Sequence, residues 1–167
     1  MVRAYIGLGS NLDDPRQQVE RALDELAELP ESHLSGRSRL YRSDPVGPPQ
    51  PDYINAVAQL DTELEPLALL DALQALEQQH QRVRREHWGP RTLDLDLLLY
   101  ADRQIQHPRL TVPHPELERR NFVLYPLADI SPELTLPSGT PLASLLEACS
   151  PRGLEPLSPA EPPPSEF

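Results

Sequence analysis

Thr92-Leu93-Asp94-Leu95-Asp96-Leu97-Leu98-Leu99-Tyr100 alternates leucine with a polar residue over its first six positions, which is the two-residue period of a strand with one buried face. Leu93, Leu95 and Leu97 point to the core. Asp94 and Asp96 project together from the opposite side, at roughly 7 Å Cα spacing. This strand closes a series of six elements, and the order of that series decides the fold.

Working back from it, Arg82 to Arg91 reads as a polar loop. Pro66 opens a helix whose buried stripe is Leu69, Leu70, Leu73 and Leu76, with Gln74, Glu77 and Gln78 off the stripe. Tyr53 to Thr62 alternates as a strand, with Ile54, Ala56, Ala58 and Leu60 on one side and Asn55, Val57, Gln59 and Asp61 on the other. Asp44 to Pro51 is a proline-rich loop, and Leu34 to Arg42 carries a faint strand pattern. Val19, Ala22, Leu23, Leu26 and Leu29 recur at helical spacing after Asp14, a candidate cap, and Pro15 at the first helical position. Tyr5 to Leu8 is the first strand.

The resulting βαββαβ order is that of the ferredoxin-like α+β fold, an antiparallel sheet with its helices on one face and the other face open for a site. Beyond Asp102 the sequence predicts a C-terminal extension with short helices near Pro115 to Glu118 and Asn121 to Ala128. One domain over residues 1–150 is expected. The proline-rich residues 151–167 are expected to be a disordered tail.

The chain has 167 residues with 26 acidic and 15 basic side chains, a net charge of −11, and every basic residue is arginine. The absence of lysine excludes a Walker-type loop and a Schiff-base lysine. The acidic balance and scarcity of aromatics disfavour a nucleic-acid partner. A single cysteine, Cys149, excludes an intrachain disulfide and a cysteine-based zinc site. The N-terminus turns polar at Ser10-Asn11, and no apolar run approaches the ~20 residues of a membrane span. A cytoplasmic protein with no membrane partner is expected.

Two features carry chemistry. Paired aspartates on one strand face repel each other. They suit either a solvated surface or a divalent cation, since Mg²⁺ takes one or two carboxylates and completes its octahedron with water and phosphate. Immediately upstream, Arg82, Arg84, Arg85 and Arg91 fall within ten residues. That run is either a solvated face or a set of guanidinium forks for phosphate oxygens. Gly7-Leu8-Gly9-Ser10-Asn11-Leu12 begins like a dinucleotide fingerprint but lacks its third glycine and a parallel βαβ unit. His33, His80, His87 and His107 read as surface or packing residues.

Ala4-Tyr5-Ile6-Gly7-Leu8-Gly9-Ser10-Asn11-Leu12, Pro51-Asp52-Tyr53-Ile54-Asn55-Ala56, Arg82-Val83-Arg84, Trp88 to Leu98 and Leu110-Thr111-Val112-Pro113-His114 together closely resemble the 6-hydroxymethyl-7,8-dihydropterin pyrophosphokinase family. The resemblance runs from about residue 2 to residue 147. It implies transfer of pyrophosphate from ATP, as co-substrate, to the hydroxymethyl group of a reduced pterin in folate biosynthesis, with release of AMP. It further implies that Asp94 and Asp96 hold two Mg²⁺ ions and that Arg82 and Arg91 grip the β- and γ-phosphates. Gln74, Glu77, Arg84, Trp88, Leu97, Thr111, His114 and Arg120 would serve ATP. Tyr53 and Phe122 would sandwich the pterin, Asn55 would read its amide edge, and Ser43, Asp44 and Val46 would complete that end. Small-molecule substrates and a monomer are expected. Asp44, Pro115 and Arg85 depart from the residues common in the family. A metabolite-binding module or an RNA-recognition sheet on the same fold would need no paired strand carboxylates.

Overall fold

The computed structural model describes residues 1–12, 14–45, 49–83 and 93–157, with residues 81–83 described through their backbone alone. Val46, Arg84, Trp88 and Arg91 therefore lie outside the described residues, as does the end of the chain from residue 158.

Among the described residues a six-stranded sheet forms from β1 (Val2–Ser10), β2 (Ser32–Arg37), β3 (Tyr41–Ser43), β4 (Tyr53–Thr62), β5 (Asp94–Tyr100) and a late strand, Leu154–Pro156. Every pairing in it is antiparallel. Strand β1 lies between β5 and β4, and β2 and β3 run in succession along the far edge of β4. The faint pattern of Leu34 to Arg42 is thus two strands. Between them the Ser38 N–H donates to the Val57 carbonyl at 2.9 Å, and the Val57 N–H donates to Ser38 Oγ at 2.9 Å. The serine hydroxyl stands in for a ladder partner where the backbone turns away.

Helices α1 (Pro15–Leu26) and α2 (Pro66–Val83) cover one face. Val19, Leu23 and Leu26 of α1 and Leu69 and Leu73 of α2 meet Ile6, Leu8, Leu60, Leu95 and Leu97 of the sheet, all buried. Each such leucine or isoleucine contributes about 1.5–3 kcal/mol by leaving water. Asp14 does not cap α1 through its side chain; it sits in the left-handed region at φ 61°, and its carbonyl accepts from the Gln18 N–H at 3.1 Å. Helix α2 continues through Gln81–Val83, so Arg82 belongs to its last turn and not to a loop. His80 is fully buried between the two helices, bonded through Nδ1 to Gln18 Oε1 and through Nε2 to Glu25 Oε1 at 2.7 Å.

The opposite face is partly covered. A hairpin, β6 (Ile105–His107) with β7 (Leu110–Val112), leads to a 3₁₀ turn at Leu117–Arg119 and then to α3 (Asn121–Ile130) and α4 (Leu142–Glu147). Val123, Leu124, Leu127 and Leu142 pack there against Tyr5, Val57, Leu98 and Leu99. Helices α1 and α2 lie on one face as expected, and the extension brings its own apolar stripe to the second, so the face expected to be open is partly covered. A bulge makes this possible: Leu97 pairs with Ile6 and Leu99 with Tyr5, leaving Leu98 without a partner on β1. Leu98 and Leu99 consequently face the same way, and the leucine alternation changes sides at that point.

The last strand, β8 (Leu154–Pro156), pairs with β3 through Ser43↔Leu154, Arg42↔Glu155 and Tyr41↔Pro156. The Leu157 N–H extends the pairing to the Leu40 carbonyl at 2.9 Å. Disorder beginning at Pro151 is therefore corrected for residues 151–157, where Leu157 packs against the core and the β3 pairing holds the rest.

Candidate active site

Helices α3 and α4 cover only part of the second face, and a cleft of about 990 Å³ remains beside them. Its floor is set by strand register. Asp94 on β5 is level with Gly9 on β1, and Gly9 is level with Asn55 on β4; Asp96 is likewise level with Gly7. A carboxylate and a carboxamide thus stand two strand spacings apart, roughly 10 Å, on one face, with a glycine between them. Tyr53, Asn55, Asp94 and Asp96 all line the cleft, with Ser43 and Asp44 at one end, His114 at the other, and Arg120 and Phe122 on the wall opposite the sheet.

The glycines keep the floor flat. A Cβ at Gly9 would stand 3.0 Å from Asn55 Nδ2, and one at Gly7 would meet the Leu98 side chain at 3.4 Å. In the sequence these two positions read as a failed dinucleotide motif and as part of the family motif Ala4 to Leu12, without a role of their own. Their role comes from being cross-strand neighbours of chemistry-bearing residues, which sequence order does not reveal.

Asn55 is buried and oriented by its neighbours. Ser43 Oγ donates to Asn55 Oδ1 at 2.5 Å, and Asn55 Nδ2 donates to the Leu8 carbonyl at 3.5 Å. A carboxamide has two N–H donors and two acceptor lone pairs, so one of each is left to face a ligand. Tyr53 flanks it, and burial first, with the Asp94 charge second, pushes its phenol above the ordinary value. His114 accepts from the Glu116 N–H at Nδ1, 3.1 Å away. This places the proton of the neutral ring on Nε2, where it can be donated to an anion.

Charges across the cleft are unevenly paired. Arg119 is bound to Glu116 at 2.9 Å. Arg120 instead lies over the Phe122 ring, 5.5 Å from its centroid. Among the described residues no cluster of three or more His, Cys, Asp and Glu side chains gathers at metal-binding distance. Asp94 and Asp96, both half-buried, line the cleft side by side on β5, with Glu116 and Glu118 also on its lining. Two carboxylates on the lining of a cleft suit Mg²⁺, which retains waters and takes phosphate oxygens as its remaining ligands.

Of the other expected ATP residues that are described, Gln74, Glu77, Leu97 and Thr111 do not line the cleft. Gln74 is exposed and accepts from Arg109 Nη2 at 3.3 Å. Glu77 was read as lying off the buried stripe, yet it is buried, and its Oε2 accepts from the Leu95 N–H at 2.7 Å. Among the described residues β5 lies at an edge of the sheet, and Glu77 satisfies a backbone donor that no described strand reaches. The Leu97 side chain is in the core facing α1 and α2, and Thr111 is exposed on β7. Sequence reading missed Asn121, whose Nδ2 donates to the carbonyls of Ser150 and Arg152 at 3.0 Å each. It also missed Arg152 and Gly153, which line the cleft.

Residues 5–132 match the family model described as 7,8-dihydro-6-hydroxymethylpterin-pyrophosphokinase (HPPK). The chain belongs to the HPPK family. A 2-amino-4-hydroxy-6-hydroxymethyldihydropteridine pyrophosphokinase of Pseudomonas aeruginosa is 55% identical over 156 residues, covering 93% of this chain and 96% of that protein. The protein of the same name from Haemophilus influenzae is 49% identical over 148 residues, covering 88% and 92%. Among solved structures, the Plasmodium falciparum HPPK-DHPS with pteroate superposes with a TM-score of 0.69 at 13% identity. That match covers 88% of this chain but only 42% of the longer protein, so the HPPK fold here spans less than half of it. As a member of the HPPK family, the chain is an enzyme of the pyrophosphokinase class, an ATP-dependent diphosphotransferase of folate biosynthesis.

Proposed function

We propose that this enzyme transfers the β,γ-pyrophosphoryl group of ATP to the hydroxymethyl oxygen of 6-hydroxymethyl-7,8-dihydropterin, releasing AMP. The observation that carries the reading is the row Asp94, Gly9 and Asn55 across three adjacent strands. A flat heterocycle with an amide edge fits over the glycine, between a carboxamide that reads it and carboxylates placed for its hydroxyl end.

The bond that forms joins the hydroxymethyl oxygen to the β-phosphorus, and the bond that breaks joins that phosphorus to the oxygen bridging α and β. Asn55 holds the pterin by its unused donor and acceptor, between Tyr53 and Phe122. Backbone groups of Ser43, Asp44 and Val46 complete that end. Arg82 and Arg91, with Arg84, Trp88 and Arg120, bind the phosphate chain by the family motif, and His114 donates from Nε2. The nucleoside lies along the outer edge of β5, near Gln74, Glu77, Leu97 and Thr111. Asp94 and Asp96 hold two Mg²⁺ ions, which supply charge neutralisation to the phosphates when bound. Orientation and electrostatics supply the rate, since phosphoryl transfer asks little covalent chemistry of the protein.

The architecture is read as ferredoxin-like with a C-terminal extension, supported by the order β5-β1-β4-β3. The domain is read as extending through β8, a longer unit than residues 1–150. A cytoplasmic monomer without nucleic-acid partners fits the acidic sequence, and the large apolar side chain exposed among the described residues is Met1. No helix among the described residues is long and apolar enough to cross a membrane.

The test supplies ATP, Mg²⁺ and the reduced pterin. AMP and pterin diphosphate in equal amounts are expected; ADP as product would overturn the reading. In the same assay Asp94→Ala/Asp96→Ala should fold normally, because both side chains face the cleft, and should lose turnover. Full activity in the double variant would refute the metal assignment.

A further inference from the structure

We propose that strand β8 is a positioning element for the pterin end of the cleft, and that Gly153 is the residue that lets it reach the loop at 43–45. The inference rests on the assignment of that end to the pterin.

The C-terminal segment is tied to the site at successive points. The Asp44 N–H donates to the Gly153 carbonyl at 2.9 Å, continuing the β3–β8 pairing by one residue into the loop. Glu155 is ion-paired with Arg42, which also binds Asp52 at 2.7 Å in the segment leading into β4. Asn121 holds the carbonyls of Ser150 and Arg152 from the start of α3. Residues on both flanks of the cleft therefore grip the same stretch of chain.

The consequence reaches Asn55 through one side chain. Ser43 is the β3 residue paired with Leu154, and its hydroxyl donates to Asn55 Oδ1. If β8 leaves, β3 becomes an edge strand and Asp44 loses its outer partner, so the hydroxyl that orients the Asn55 carboxamide is held only through the pairing of Ser43 with Tyr53 on β4. Asn55 would still be buried, but its unused donor and acceptor would be aimed less closely.

Gly153 is suited to this junction. Its φ is +79°, and a Cβ there would stand 2.8 Å from Asp44 Oδ2. A β-branched residue is disfavoured at such a φ, so Gly153→Val should turn the Gly153 carbonyl away from the Asp44 N–H. Gly139 supplies a matched control: its φ is +93° with nothing within 4 Å of an added Cβ, so Gly139→Val carries similar backbone strain away from the cleft.

The experiment measures steady-state kinetics and amide hydrogen exchange on the full chain, Gly153→Val and Gly139→Val. Gly153→Val should raise KM for the reduced pterin about tenfold, the size of one misplaced hydrogen bond, with KM for ATP within about twofold of the parent value. Exchange at Asp44 should accelerate in Gly153→Val and not in Gly139→Val. Equal pterin KM in the two variants would overturn the proposal, as would an Asp44 amide that exchanges like an open loop in the parent chain, a result available even if Gly153→Val does not fold. Exchange is read without substrate. A parent chain that makes no pterin diphosphate would therefore defeat the functional reading alone, while the Asp44 amide still decides whether β8 holds the loop.

Discussion

Gly9→Ala separates ligand recognition from folding. The added methyl would stand 3.0 Å from Asn55 Nδ2, several tenths of an ångström inside a comfortable carbon–nitrogen contact. Asn55 has little room to yield, since it is buried and fastened to Ser43 Oγ at 2.5 Å and to the Leu8 carbonyl. Displacing the carboxamide misaligns the donor and acceptor left for the pterin, at about 1 kcal/mol each. A loss of about 2 kcal/mol corresponds to a roughly 30-fold rise in pterin KM. Folding should change little, because Gly9 lies in a regular strand without a positive φ. The gain of about 0.4–1 kcal/mol from restricting the unfolded chain offsets the local crowding. Initial rates across a pterin titration, with thermal denaturation in parallel, provide the check. A pterin KM within about twofold of the parent value, in a variant of normal Tm, would refute the placement of the ring over Gly9.

Glu77→Leu should lower stability by about 1–3 kcal/mol, since it leaves the Leu95 N–H on the edge of β5 without an acceptor; Glu77→Gln retains an oxygen and should recover most of the loss. Equal Tm values for the two variants would refute the edge-capping role. Tyr41 donates to Asp129 Oδ2 at 2.8 Å, and burial first, with the Asp129 hydrogen bond second, pushes its phenol up to about 12. A raised folded-state value means that the native protein keeps this proton where the unfolded chain gives it up. The contribution is thus fully present below about pH 10 and is lost as pH rises through about 12. Denaturant titrations should show the parent chain losing stability more steeply than Tyr41→Phe over that interval, and parallel profiles would refute it.

Local pattern carried much of the fold. The alternation of Leu93, Leu95 and Leu97 against Asp94 and Asp96, the stripe of Leu69 and Leu73, and the punctuation by Pro15 and Pro66 are properties of neighbouring residues. They define strands and helices before any long-range contact exists. The aspartate pair was legible for the same reason, because residues two apart on a strand must share a face. Glu77 was misread because its helical position predicts exposure, whereas its actual surroundings include the unpaired edge of β5, which is fixed only when α2 packs against the sheet.

The sequence by itself determined strands β1, β4 and β5, the two helices between them, the aspartate pair and the family motifs, all of which depend on residue type and short spacing. Tertiary structure alone decided that Gly9 separates Asp94 from Asn55, that α3 and α4 cover part of the second face, and that residues 154–156 return to the edge of β3. These follow from pairing between strands far apart in the chain. That pairing is set by the joint burial of two sheet faces, and no local pattern encodes which distant backbone will supply a strand's missing partner.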